Sequence, residues 1–184
     1  MIPKSLIFIA ACVLADVVAA QDVTAPTYQR QYFGVWSDED HDCMNTRHDM
    51  LSSLSTGRTT LSEDGCRVMR GRWLDPYTGQ LFFDASDLDI DHVVPLYWAW
   101  ERGAWSWPIE KLVKFGNDPR NLEAVDDATN NAKGSRSPLD WLPPEPSYRC
   151  QYVLRFLRLI IIYEIDVPND EMNELELLKT ELCG

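Results

Sequence analysis

Three histidines supply every imidazole in the chain: His41, His48 and His92. Imidazole titrates near neutrality, so it is the side chain best suited to take a proton from water at physiological pH. His92 follows Asp91 within Leu88-Asp89-Ile90-Asp91-His92-Val93-Val94-Pro95-Leu96. Downstream come Asn121-Leu122 and then Asn130-Asn131-Ala132-Lys133-Gly134. Carboxylate and amide oxygens are hard donors suited to Mg²⁺ or Mn²⁺, so two of them converging beside a free imidazole would equip a site for metal-assisted hydrolysis. An Asp-His dipeptide alone carries little meaning; the elements around it decide. His41 and His48 have no partner at ligand spacing and read as surface residues.

Those elements can be read from pattern. Leu88 to Leu96 reads as extended, with Asp89 and Asp91 alternating against Ile90 and His92. Trp98 to Lys114 reads as helical with a break near Ser106-Trp107-Pro108, and Asn117-Asp118-Pro119 stops it. Asn121 to Val125 returns as a short strand, and Asp126 or Asp127 caps a helix from Ala128. The order is strand, long connection, strand, helix. It puts Asp91 and His92 on the first strand and Asn130 in the first turns of the helix packed across it.

Upstream, Asn45 or Thr46 caps a helix to about Ser55 that turns Met50, Leu51 and Leu54 inward. Cys66 to Trp73, the turn Asp75-Pro76-Tyr77-Thr78-Gly79 and Gln80-Leu81-Phe82-Phe83 read as a hairpin. Downstream, Tyr152, Val153, Phe156, Leu157, Ile160 and Ile161 form one helical stripe, and Met172, Leu175, Leu178 and Leu182 a second. The turn Val167-Pro168-Asn169-Asp170 joins them.

The chain has 184 residues, 45% of them hydrophobic, with 17 Lys+Arg against 29 Asp+Glu and a net charge of −12. That composition excludes a disordered tail and a polycation that wraps nucleic acid by charge alone, but not an enzyme with a local basic face. Lys4, the apolar run Leu6 to Leu14 and the small residues Val18 to Ala20 form a signal peptide over residues 1–20, leaving one secreted domain over 21–184. Four cysteines remain in the mature chain, Cys43, Cys66, Cys150 and Cys183. Secretion favours disulfides. Four cysteines allow three pairings; an antiparallel helix pair brings Cys150 to Cys183 and leaves Cys43 for Cys66. No membrane association or obligate protein partner is indicated.

The combination Asp91-His92-Val93-Val94-Pro95-Leu96, Asn121-Leu122 and Asn130-x-x-Lys133-Gly134 resembles the HNH endonucleases, whose fold is the ββα-metal unit. A secreted branch related to the GmrSD-type HNH domain is more similar still. It shares Thr46-Arg47-x-Asp49-x-Leu51, Asp75-Pro76-Tyr77-Thr78-Gly79, Trp105, Asn117-Asp118-Pro119, Trp141-Leu142-Pro143-Pro144 and the cysteine framework. The resemblance runs from about Phe33 to Cys183. It implies an α+β fold: a ββα-metal core over approximately 86–140, an N-terminal helix and hairpin, and a C-terminal disulfide-linked helix pair over 148–184.

By the same resemblance, His92 is the general base and Asp91 and Asn130 hold one divalent metal, Mg²⁺ or Mn²⁺ rather than Zn²⁺. Asn121 fastens the loop beside His92, and Asp89 supports Asp91 from the same strand face. Lys133 reads equally as a phosphate contact or an exposed lysine. Arg67, Arg70 and Arg72 form the densest basic run, read either as a solvated edge strand guarded by arginines or as a candidate track for the phosphate backbone. Arg47 and Asp49 read as a structural pair, and Trp98, Trp100, Trp105 and Trp107 as core. The expected protein is a secreted, metal-dependent, sequence-independent endonuclease acting on DNA, with RNA left open. The alternative is an inactive secreted effector that keeps the HNH fold.

Overall fold

The structure, a computed structural model, describes residues 25–184; the expected signal peptide lies outside the described residues. Helix α1 spans Thr46–Leu54, capped by Asn45, whose side chain accepts from His48 N, and it buries Met50 and Leu51. Strands β1 (Thr60–Leu61), β2 (Val68–Leu74) and β3 (Leu81–Asp84) form an antiparallel sheet in the order β1-β2-β3. The Asp75 carboxylate holds the β2–β3 turn by accepting from Tyr77 N at 2.8 Å and Thr78 Oγ1 at 2.5 Å.

Along β2 the register to β3 shifts between Arg70 and Trp73. The extra residue breaks the alternation, so Arg70 and Arg72 do not share a face. Gly71 sits in this bulge because a Cβ there would lie 2.6 Å from the Trp73 ring and 2.7 Å from Ser55 Oγ.

Strand β4 (Leu88–His92) pairs antiparallel with β5 (Leu122–Asp126), Asp91 opposite Glu123 and His92 opposite Leu122. Helix α4 (Asp127–Lys133) follows β5 at once and packs on both strands. The Asp126 carboxylate caps it by accepting from Thr129 N at 2.8 Å, and Gly134 ends it at φ +59°. This is the strand–strand–helix order read from the sequence.

The connection differs from the reading in two places. β4 stops at His92 rather than Leu96, because Asn121 Oδ1 accepts from Val94 N at 2.8 Å and Pro95 has no N–H with which to extend a ladder. The single broken helix is two helices, α2 (Leu96–Glu101) and α3 (Ile109–Asn117), parted by Gly103 at φ +90° and Pro108.

Helices α5 (Arg149–Tyr163) and α6 (Asn169–Cys183) complete the chain. The cysteines pair as expected, Cys43–Cys66 and Cys150–Cys183. Two apolar clusters flank the β4–β5 pair. One gathers Met50, Leu51, Val68 and Trp73 against Leu88, Ile90, Leu122 and Ala124. The other gathers Tyr77, Trp98, Trp100, Tyr152 and Phe156 with Val125. Among the described residues no helix is long and apolar enough to cross a membrane.

Cys150 and Cys183 stand 33 residues apart, so their bond removes much of the unfolded chain's freedom. Replacing both with serine is expected to lower stability by about 3–4 kcal/mol in urea unfolding, with α5 and α6 loosening first.

Candidate active site

β4 sends consecutive side chains to opposite faces, and the site divides accordingly. Leu88 and Ile90 point into the cluster under α1. His92 continues that face and stands at its edge, half-buried. Its Nε2 lies 2.8 Å from the carbonyl oxygen of Gly116 in α3. A carbonyl only accepts, so Nε2 carries the hydrogen and Nδ1 keeps its lone pair. The Trp36 ring stacks on the imidazole with centroids 5.5 Å apart and planes 5° apart. Burial pulls the His92 pKa down to about 3, helped by the Arg30 and Lys133 cations and opposed by the Gly116 bond. The ring is therefore neutral throughout the physiological range.

α3 packs closely against the segment around Phe33 because position 116 is glycine: a Cβ there would sit 2.6 Å from the Phe33 carbonyl oxygen. Asn117 then ties three segments together. Its Oδ1 accepts from Ser37 N and Thr46 Oγ1, both at 2.9 Å, and its Nδ2 donates to Val35 O at 3.2 Å. Asn121, fully buried, spans Val94 with Nδ2 donating to its carbonyl at 3.2 Å and Oδ1 accepting from its N–H.

Asp91 points to the opposite face and is buried. Lys133 Nζ donates to its two oxygens at 2.9 and 2.8 Å, and Tyr77 donates its hydroxyl to Oδ2 at 2.6 Å. Lys133 Nζ also donates to His92 O at 2.8 Å. The lysine is wholly buried, 0% exposed, which corrects both readings of it as a phosphate contact or an exposed residue. One helical turn from Asn130 faces the interior, where the Asp91 carboxylate offsets the desolvation that pulls its pKa down. Tyr77, a residue the sequence offered only as part of a turn, keeps its proton: burial and the neighbouring Asp91 charge push its pKa up.

Asn130 hydrogen-bonds Asp89 rather than Asp91. Its Nδ2 donates to Asp89 Oδ2 at 3.0 Å, and the Asp127 carboxyl joins them, its pKa raised by a hydrogen bond with Asp89 and then by the charge of Asp89. Asp89, Asp127 and Asn130 thus make an accessible oxygen cluster on the α4 face, while Asp91 forms a closed knot behind it.

The basic run divides as well. Arg70 pairs with Asp84 at 3.4 Å and Arg67 stays exposed, whereas the bulge turns Arg72 toward Ser55 and Thr56. Arg47 and Asp49 make no ion pair with each other; Arg47 Nη2 donates to Ala85 O at 3.2 Å and Leu88 O at 2.7 Å. His48 is half-buried rather than a surface residue, its Nδ1 accepting from Val68 N at 3.2 Å. Asp38, Asp40 and Asp42 crowd the loop before α1, with carboxylate oxygens within 4.8 Å of one another. Asp49 feels them, since its pKa is raised by burial and then by these three charges.

This geometry sits in a chain that matches a family model for GmrSD restriction endonucleases, C-terminal domain, over residues 46–177. The chain belongs to that family, which sets it among nuclease-related proteins. It is 38% identical over 150 residues to an uncharacterized secreted protein of Arthroderma benhamiae, a match covering 80% of this chain and 72% of that one. The two disulfides and this relative make it a secreted protein. No solved structure matches.

Replacing Lys133 with methionine leaves Asp91 buried without its cation and is expected to cost about 3–5 kcal/mol in urea unfolding. Tyr77→Phe costs about 1–3 kcal/mol for the unmade hydrogen bond. The double variant Asp91→Asn/Lys133→Met loses less than the sum of its single losses.

His92 has a folded pKa of about 3 against an unfolded value near 6.5. Between these values only the unfolded state binds its proton, so stability falls as pH drops from about 6.5 toward 3. His92→Gln is expected to flatten that loss, read from urea midpoints at about pH 7 and about pH 4.5.

Proposed function

We propose that the protein is a secreted, metal-dependent endonuclease that hydrolyses phosphodiester bonds in DNA without reading sequence, and that RNA is to be tested beside it. In this reading the β4–β5–α4 unit is a ββα-metal core. The observation that carries the proposal is the geometry of His92: its Nε2–H is held by Gly116 O, so Nδ1 carries the lone pair that can accept a proton. Water attacks phosphorus, its proton passes to Nδ1, and the bond to the 3′ oxygen breaks, the departing oxygen taking up a proton from solvent. The products are a 5′-phosphate and a 3′-hydroxyl.

The donor set fits a divalent ion, with one change from the sequence expectation. Asp89, Asp127 and Asn130 offer hard oxygens from neighbouring side chains, the chemistry of Mg²⁺ or Mn²⁺ sites. Asp91 is buried and already accepts from Lys133 on both oxygens and from Tyr77 on Oδ2. Such an ion would stabilise the negative charge that gathers on the scissile phosphate. The chain's own residues do the rest: Gly116 orients the base, Trp36 covers one face of the ring, and Lys133 fixes the backbone at His92.

Incubation of the oxidised mature protein with plasmid DNA and structured RNA tests the reading. Cleavage is expected with Mg²⁺ or Mn²⁺, none with EDTA, and a rate for His92→Ala lower by about 10²–10⁴-fold. Folded, metal-supplied protein that leaves both substrates intact would instead point to a secreted binding protein that retains the fold.

A further inference from the structure

A groove of about 430 Å³ opens between the start of α1, the first half of β2 and the β3–β4 junction. Arg47, His48, Arg67 and Arg70 line it, with Asp84 as its one carboxylate. Three guanidinium groups thus face one carboxylate, in a chain of net charge −12. The Arg70–Asp84 pair is long, at 3.4 Å, and exposed on both sides, so solvent screens it. Among the described residues neither Arg47 nor Arg67 makes an ion pair.

These side chains are also held in place. Arg47 is partly buried and anchored through Nη2 to the carbonyls of Ala85 and Leu88. The Cys43–Cys66 bond fixes the turn that carries Arg67. With Nδ1 of His48 accepting from Val68 N, its other ring nitrogen is left as a donor, and the ring's burial together with the Arg47 and Arg67 charges favours its neutral form. Cations brought together without partners repel one another, and an oxyanion relieves that repulsion. Guanidinium groups suit phosphate in particular, through paired N–H donors in one plane.

We propose that this groove holds a phosphate group of the nucleic-acid strand, a few nucleotides from the bond cut at His92; the proposal rests on the nuclease reading above. Arg47 is bonded to Leu88 at the start of β4 and His92 ends the same strand, about 13 Å away at roughly 3.3 Å per residue. The groove meets the strand's backbone through charge, so it adds affinity and register without base discrimination. Arg72, turned away by the β2 bulge, takes no part.

The test measures binding of a short fluorescein-labelled single-stranded oligonucleotide by anisotropy, over a range of salt concentrations, in a His92→Ala background that prevents cleavage. Arg67→Gln/Arg70→Gln changes only exposed side chains and is compared with Arg158→Gln, an exposed change on α5. The double variant is expected to bind about tenfold more weakly, and its slope of log K against log salt to fall by about 1.4, two contacts at about 0.7 each. Arg158→Gln should match the parent.

Inorganic phosphate is titrated alongside. If it binds the parent and is lost in the double variant while oligonucleotide binding is unchanged, the groove is a site for free phosphate and the proposal is overturned. If the wild-type protein cleaves DNA but the double variant binds like its parent, the groove proposal fails and the nuclease reading stands. If the wild-type protein neither binds nor cleaves, both fail.

Discussion

The buried contact among Lys133, Asp91 and Tyr77 is the constraint on which the rest of the site depends. A fully buried ammonium is tolerated only with a carboxylate beside it, and Asp91 supplies that carboxylate from β4 while Lys133 comes from the last turn of α4. The pair therefore fixes how α4 lies across the strands. Tyr77 extends the same contact to the β2–β3 turn, whose geometry Asp75 sets in turn. Through His92 O, Lys133 also holds the backbone from which the imidazole projects. A single ion pair thus joins the hairpin, the strand pair and the helix.

Closing Asp91 in this way divides the chemistry of β4 between two faces. His92 faces α3 and Trp36, where burial keeps the ring uncharged. Asp89 faces α4, where Asp127 and Asn130 add oxygens within reach of solvent. The acidic net charge does not contradict a nucleic-acid substrate, because Arg47, Arg67 and Arg70 line one groove against a single carboxylate.

Much of this was legible in the sequence, and the reasons for the gaps are specific. The alternation in Leu88 to His92 and the Asp126 cap are local signals, and each marks its element correctly. The cysteine pairing followed from two apolar stripes joined by a turn. The end of β4 was misplaced because the bond that ends it comes from Asn121, far along the chain.

The side chains around the site were harder to read. Lys133 looked like a surface residue because helical spacing gives its direction only once the packing of α4 is known. The contributions of Trp36, Gly116 and Tyr77 are long-range contacts with no local pattern to announce them. The division of Arg70 from Arg72 depends on one extra residue in β2, which Gly71 alone hinted at.

The central claim is that His92 takes the proton of the attacking water, and chemical rescue addresses it most directly. In single-turnover cleavage of plasmid DNA, His92→Ala should be slow, and added imidazole should restore the rate in proportion to its neutral fraction. A His92→Ala protein that cleaves as fast as the wild type, with no response to imidazole, would contradict the account.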